Sequence, residues 1–127
     1  MKTEKEGTKM QKEVITKIIK RLGISTNLKG YYYIREAIEL IIKDLNYVGA
    51  LTKRLYPDVA KKFDTTASRV ERAIRHSIES GWLRADEEFA EELFGYSTSA
   101  RRSNPTNGEF LATIADYVSL REGAGDE

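Results

Sequence analysis

The residues best suited to chemistry lie in the stretch 67–80, where a helical pattern carries arginines and a glutamate. Val70, Ile74 and Ile78 recur every four residues and mark the inner face of a helix. Its outer and flanking faces then carry the polar residues Ser68, Arg69, Glu71, Arg72 and Arg75. An arginine fork can meet O6 and N7 of guanine together, and a glutamate can accept a hydrogen bond from the cytosine amino group. The pattern is typical of a helix that reads base edges in the DNA major groove.

The residues in front of this stretch predict a helix-turn-helix. Pro57 fits the first turn of a short helix over residues 58–63, whose inner face carries Val59, Ala60 and Phe63. Ala60 precedes Val70 by ten residues, a spacing that resembles the helix-turn-helix pattern of a small residue and a β-branched one. Asp64 stands where that pattern often has glycine, and aspartate tolerates a left-handed backbone better than most residues. Thr66 is then the predicted N-cap of the second helix.

A second group of residues is suited to the DNA backbone. Lysine ammonium groups and threonine hydroxyls near the turn can contact phosphate oxygens, which position a helix without reading sequence. The candidates for these contacts are Lys61, Lys62, Thr65 and Thr66. The whole chain has a formal net charge of only +1, but residues 52–75 hold seven basic residues against three acidic ones. This local excess supports a polyanionic partner, double-stranded DNA.

The same residues have a simpler interpretation. Arginine and glutamate on an exposed helix commonly form only a solvated surface, and Glu71 and Arg75 at i, i+4 could be a local ion pair. The turn, the Ala60 to Val70 spacing and the local basic excess together favour DNA binding.

Composition excludes most other kinds of site. The chain has no cysteine and one histidine, so thiolate zinc sites, disulfides, cysteine nucleophiles and multi-histidine metal sites are impossible. His76 has no evident catalytic partner, and we expect no enzyme activity, metal or cofactor. The start of the chain lacks the apolar region of a signal peptide, and no apolar run approaches the length of a membrane span. We therefore expect a cytoplasmic protein without membrane contacts.

Apolar periodicity predicts an all-α fold of about six helices that positions the candidate site. The predicted elements span residues 10–22, 31–45, 48–55 as a short connector, 58–63, 67–80, 86–94 and 106–118. Tyr31, Tyr32 and Tyr33 open the second helix, and packing at the core and its rim is favoured over stacking on bases. We expect one domain over residues 10–121, a flexible loop at 97–105, and disordered ends at 1–9 and 122–127.

Four stretches carry a resemblance to a known family. They are KGYYYIREAI (29–38), LYPDVAKKFDTTASRVERAIRHSIESGW (55–82), LFGY (93–96) and NPTNGEF (104–110). Together they resemble the C-terminal effector domain of the stage-zero sporulation response regulator, the master transcription factor of endospore formation. The resemblance extends from about residue 14 to residue 120, and TTASRVERAIRH is its most specific run.

The resemblance implies a six-helix domain that binds DNA boxes with a GTCGA-like core, often as tandem head-to-tail copies. It implies that Ser68, Arg69, Glu71 and Arg72 approach base edges, while Arg75 and His76 lie near the DNA backbone. The segment 89–96 resembles the one through which the family contacts the RNA polymerase sigma factor. Candidate contacts there are Phe89, Glu91, Glu92 and Phe94. An acidic helix that is merely solvated, with its aromatic residues in the core, would explain the same residues.

Two departures from the family qualify this expectation. Asn104 replaces the usual lysine before Pro-Thr-Asn, and Arg101 and Arg102 in the preceding loop could supply that backbone contact instead. The family also joins this domain to a phosphoacceptor receiver domain, which is not found before Met1. That leaves open an excised domain or a stand-alone effector without control by phosphorylation. The alternative function is an interaction module or antagonist that binds sigma factor or a host regulator without DNA.

Overall fold

The computed structural model describes residues 4–95 and 104–125, with side chains described for residues 9–95 and 104–121. This part of the chain contains six α-helices and no β-strand, which confirms the predicted all-α class. The helices are α1 (Glu4–Arg21), α2 (Lys29–Lys43), α3 (Tyr56–Lys62), α4 (Ala67–Gly81), α5 (Glu87–Phe94) and α6 (Asn107–Gly125). A 3-10 helix (Leu45–Gly49) and a π-helical turn (Leu51–Leu55) replace the predicted connector, and a second 3-10 helix (Trp82–Arg84) follows α4.

The terminal helices are longer than the apolar pattern predicted. α1 begins at Glu4 and α6 ends at Gly125, so both helices extend into the terminal segments beyond the predicted domain 10–121. Apolar periodicity reports only the part of a helix that packs on the core, whereas backbone hydrogen bonding propagates beyond that part. The structure begins α2 at Lys29, two residues before the predicted opening at Tyr31. Of the predicted flexible loop 97–105, residues 97–103 lie outside the described residues.

α2 lies at the centre of the fold and contacts α1, α4 and α6. Its inner face, Ile34, Ala37, Ile38 and Ile41, is at most 1% exposed, and burial of such a face supplies most of the stability of a helix in a protein. Tyr31 and Tyr33 are buried as predicted, whereas Tyr32 is 45% exposed.

Two glycine contacts set how closely the helices approach one another. Gly30 in α2 faces α4, where an added Cβ would lie 2.0 Å from Ser77 Oγ and 2.4 Å from the carbonyl oxygen of Ala73. Gly23, which ends α1 with φ of +87°, packs on Gly81 at the end of α4, where an added Cβ would lie 2.0 Å from the Gly81 carbonyl oxygen. α4 is thereby held against α1 and α2 along its inner side, and residues of its opposite side, such as Arg69 and Arg72, are exposed.

A helix that spans a membrane needs about 20 consecutive, mostly apolar residues. None of the described helices is both long enough and apolar enough to cross a bilayer.

Candidate DNA-binding site

The turn between α3 and α4 has the geometry that the sequence predicted. α3 ends in a Schellman motif, in which the Thr65 N–H donates to the Ala60 carbonyl at 3.0 Å. Asp64 occupies the left-handed position with φ of 53°, the only non-glycine residue in the described chain with positive φ. An aspartate here performs the function that glycine commonly performs, and it directs the chain from α3 into α4.

Thr66 caps the start of α4. Its backbone is extended, and its Oγ1 accepts a hydrogen bond from the Arg69 N–H at 3.2 Å. This confirms the predicted N-cap, and it satisfies one of the free donors of the first helical turn. The cap fixes the first turn of α4, which carries Ser68 and Arg69.

The Thr66 cap gives a testable stability prediction. Thr66→Ala removes the acceptor and should lower the free energy of unfolding by about 1 kcal/mol, as helix caps typically do. Thr66→Ser retains the hydroxyl and should stay close to wild type. Urea unfolding followed by circular dichroism measures both variants. Equal stability of the alanine and serine variants would show that the hydrogen bond contributes nothing.

The outer face of α4 presents the predicted base-reading residues to solvent. Val70, Ile74 and Ile78 are at most 1% exposed, which confirms the predicted inner face. Ser68, Arg69 and Arg72 are exposed and Glu71 is partly buried. A shallow groove of about 270 Å³ runs beside them and is lined by Thr52, Tyr56, Ala67, Ser68, Glu71, Arg72 and Arg75. The structure thus brings the four predicted residues together on one accessible face.

Glu71 and Arg75 form a loose ion pair on this face. Arg75 Nη2 lies 3.6 Å from Glu71 Oε2, and the two side chains are 53% and 35% exposed. Exposed ion pairs of this kind contribute at most about 1 kcal/mol to stability, so a ligand can replace the contact between the two side chains at a small cost in free energy. The local pair anticipated from the sequence exists, and it leaves both side chains open to a ligand.

The residues predicted for the DNA backbone fall into different environments. Lys61, Thr66, Arg75 and His76 are exposed around α4, and Thr65 is partly buried in the turn. Lys62 is already engaged, because its Nζ lies 2.6 Å from Glu36 Oε1, and the Glu36 side chain is only 14% exposed. Lys62 therefore ties α3 to α2. Arg101 and Arg102 lie outside the described residues.

Residues at the start of α6 approach this face, and one of them, Asn107, was not predicted as part of the site. Thr106 Oγ1 accepts from the Glu109 N–H at 3.1 Å and caps the start of α6. The next residue, Asn107, donates from Nδ2 to Tyr56 Oη at 3.1 Å and to the Glu71 carbonyl at 3.2 Å. Asn107 lies far from Tyr56 and Glu71 in the sequence, so no residue spacing predicted these hydrogen bonds. The stretch NPTNGEF that contains it was noted only for its resemblance to a known family.

A second candidate surface is the acidic helix α5. Asp86 caps it by accepting from the Phe89 N–H at 3.1 Å, and the Arg21 guanidinium at 2.9 Å holds the pKa of Asp86 below its usual value. Phe89 is 4% exposed beneath the Arg21 guanidinium. Glu91 and Glu92 are exposed.

The burial of the aromatic residues corrects their predicted role in α5. Phe94 is partly buried, with its ring 5.2 Å from that of Trp82 and 6.0 Å from that of Phe110. Phe89 was predicted as a partner contact, but it lies in the core because its spacing along α5 directs it inward against Tyr117. Phe89 thus supports the helix, and the exposed glutamates form its accessible face.

Comparison with known families agrees with this arrangement. The family model described as "Sporulation initiation factor Spo0A C terminal" matches residues 15–118, which include α2 to α5, the last seven residues of α1 and the first twelve of α6. The match contains the whole helix-turn-helix and the α6 residues that contact it. The chain therefore belongs to the Spo0A C-terminal family, the DNA-binding effector domain of a sporulation transcription regulator.

Proposed function

We propose that this protein is a sequence-specific transcription regulator that reads boxes with a GTCGA-like core through α4. The observation that carries the proposal is the placement of Arg69 and Arg72, exposed on a helix whose start is fixed by the Thr66 cap. Ser68, Arg69, Glu71 and Arg72 contact base edges in the major groove. Arginine and glutamate on one face match the guanines and cytosines of such a core.

The surrounding residues hold the phosphate backbone in this proposal. Lys61, Thr65, Thr66, Arg75 and His76 contact phosphate oxygens, and Lys62 exchanges Glu36 for a phosphate. Arg101 and Arg102 supply a further backbone contact in place of the lysine that Asn104 replaces. Each neutralised phosphate releases counterions, so affinity falls as salt increases. Tandem boxes would place two copies of the domain head to tail.

A pair of duplexes tests the proposal directly. Fluorescence anisotropy compares a labelled duplex that carries the GTCGA core with a duplex of the same composition in scrambled order. We expect clearly tighter binding to the first duplex, because specific protein–DNA complexes commonly exceed non-specific ones by about a thousandfold or more. Equal affinities would contradict sequence reading.

We also propose a contact between α5 and the RNA polymerase sigma factor. The exposed glutamates Glu91 and Glu92 suit a basic surface on that partner, while Phe89 and Phe94 support the helix from within. Charge complementarity of this kind mainly raises the association rate, and high salt reduces this gain. Glu91→Gln with Glu92→Gln should weaken sigma-factor binding and leave DNA affinity unchanged; retained sigma-factor affinity would contradict the contact.

The exposed acidic face also supports a second candidate function, an interaction module or antagonist that acts without DNA. A variant with Arg69, Arg72 and Arg75 all replaced by alanine distinguishes the two functions. If the wild type has no measurable DNA affinity, and the triple variant still binds sigma factor or the host regulator, the interaction module is supported. If the triple variant loses a DNA affinity that the wild type has, the DNA-binding function is supported.

A further inference from the structure

We infer that Asn107, at the start of α6, is a positioning residue for base reading because it holds the backbone of Glu71. The inference rests on the proposed function, since it assigns Glu71 a contact to bases. Asn107 itself contacts no base in this account. It acts through α4, and its effect is on the discrimination between sequences rather than on attraction to DNA.

The geometry makes Asn107 the junction of three helices. It is the first residue of α6, behind the Thr106 cap, and its side-chain amide donates to Tyr56 Oη in α3 and to the Glu71 carbonyl in α4. Both donors of one amide are thus used, one on each helix of the helix-turn-helix. The second bond ends on the backbone of the residue whose carboxylate is proposed to read a base.

Packing alone does not fix this part of α4 against α6. A groove of about 460 Å³ lies between them, lined by Leu51, Tyr56, Glu71, Arg75, Glu79 and the segment 104–108. Side chains across an open groove have few dispersion contacts with which to hold a separation. Asn107 lines this groove, and the hydrogen bonds of its amide to Tyr56 and Glu71 set the distance from α6 to Glu71.

The partner on α3 is suited to a fixed hydrogen bond. Tyr56 is 6% exposed, and burial raises the pKa of its hydroxyl above the usual value, so the group stays neutral. A buried hydroxyl that lost its partner would incur a desolvation penalty. Tyr56 therefore keeps Asn107 in place, and Asn107 in turn holds Glu71.

Asn107→Asp is the sharpest variant for a test. The carboxylate has the same shape, can still accept from Tyr56 Oη, and suits the positive N-terminal end of α6. It cannot donate to the Glu71 carbonyl and repels that oxygen, so the link to α4 is lost, while the apolar core is untouched. The matched control is Thr106→Asp, which adds the same charge one residue earlier and keeps a good N-cap acceptor.

The measurement is the ratio of dissociation constants for scrambled and GTCGA-core duplexes at one salt concentration. Asn107→Asp should lower this ratio about fivefold, which corresponds to one ordinary hydrogen bond. Thr106→Asp should weaken binding to both duplexes alike and leave the ratio at the wild-type value. Partial unfolding cannot imitate the result, because it reduces the active fraction equally for both duplexes.

A double-mutant cycle locates the effect at Glu71. In a Glu71→Ala background, Asn107→Asp should lower the ratio no further, because the side chain that it positions is absent. Three results would each overturn this inference and leave the proposed function standing. They are an unchanged ratio in Asn107→Asp, an equal fall in Thr106→Asp, and a full further fall in the Glu71→Ala background. A wild-type protein without preference between the duplexes would instead overturn the proposed function, and this inference with it.

Discussion

Gly30→Ala is expected to lower the free energy of unfolding by about 2 kcal/mol or more, because overpacking at a close helix contact forces a backbone shift. The new Cβ would lie 2.0 Å from Ser77 Oγ and 2.4 Å from the Ala73 carbonyl oxygen, and Ser77 is fully buried. Alanine would gain about 0.5–1 kcal/mol over glycine from helix propensity, which is too little to offset this clash. α2 must therefore move away from α4.

Gly49→Ala is the matched control for this substitution. Gly49 lies in the 3-10 helix Leu45–Gly49, and an added Cβ there meets nothing within 4 Å. The free energy of unfolding of Gly49→Ala should stay within about 0.5 kcal/mol of that of the wild type, as for most surface changes. Urea unfolding with a fitted m-value measures both variants. If Gly30→Ala were as stable as Gly49→Ala, α4 would not be held on α2 in the manner described.

Arg72→Ala is expected to weaken the sequence preference in DNA binding substantially. A bidentate arginine–guanine contact discriminates by about 1–3 kcal/mol, so the preference should fall at least about fivefold. Arg72 is exposed and lines the groove beside α4, where its removal leaves no buried group unpaired. The fold should therefore be retained, and anisotropy titrations with matched and scrambled duplexes measure the loss.

Arg121→Ala is the control for charge. Arg121 is exposed on α6, fourteen residues beyond Asn107, which places it about 21 Å along the helix from the junction with α4. Its removal takes away the same charge and should leave the preference unchanged. Equal preference in wild type and Arg72→Ala would contradict base reading by this arginine.

The sequence was sufficient to predict the parts of the site that depend on local rules. The Thr66 cap follows from residue type at a helix start, and the left-handed Asp64 follows from the tolerance of aspartate for that conformation. The inner face of α4 follows from the spacing of Val70, Ile74 and Ile78. Each feature involves residues within a few positions of one another.

The features that escaped prediction depend on contacts between distant parts of the chain. The ion pair of Lys62 with Glu36 was not predicted, because it depends on the packing of α3 against α2. Asn107 reaches Glu71 across 36 positions, and no periodicity reports such a pair. Phe89 was placed on a partner surface, yet α5 turns it into the core against Tyr117. Tertiary packing decides all three cases.

The most direct test of sequence reading through α4 is the affinity of the wild type for matched and scrambled duplexes across a series of salt concentrations. Both affinities should fall steeply with salt, because both duplexes engage the same phosphate contacts. A preference for the GTCGA core should persist at every concentration, because base contacts release few counterions. Affinities that coincide for the two duplexes across the series would contradict the account.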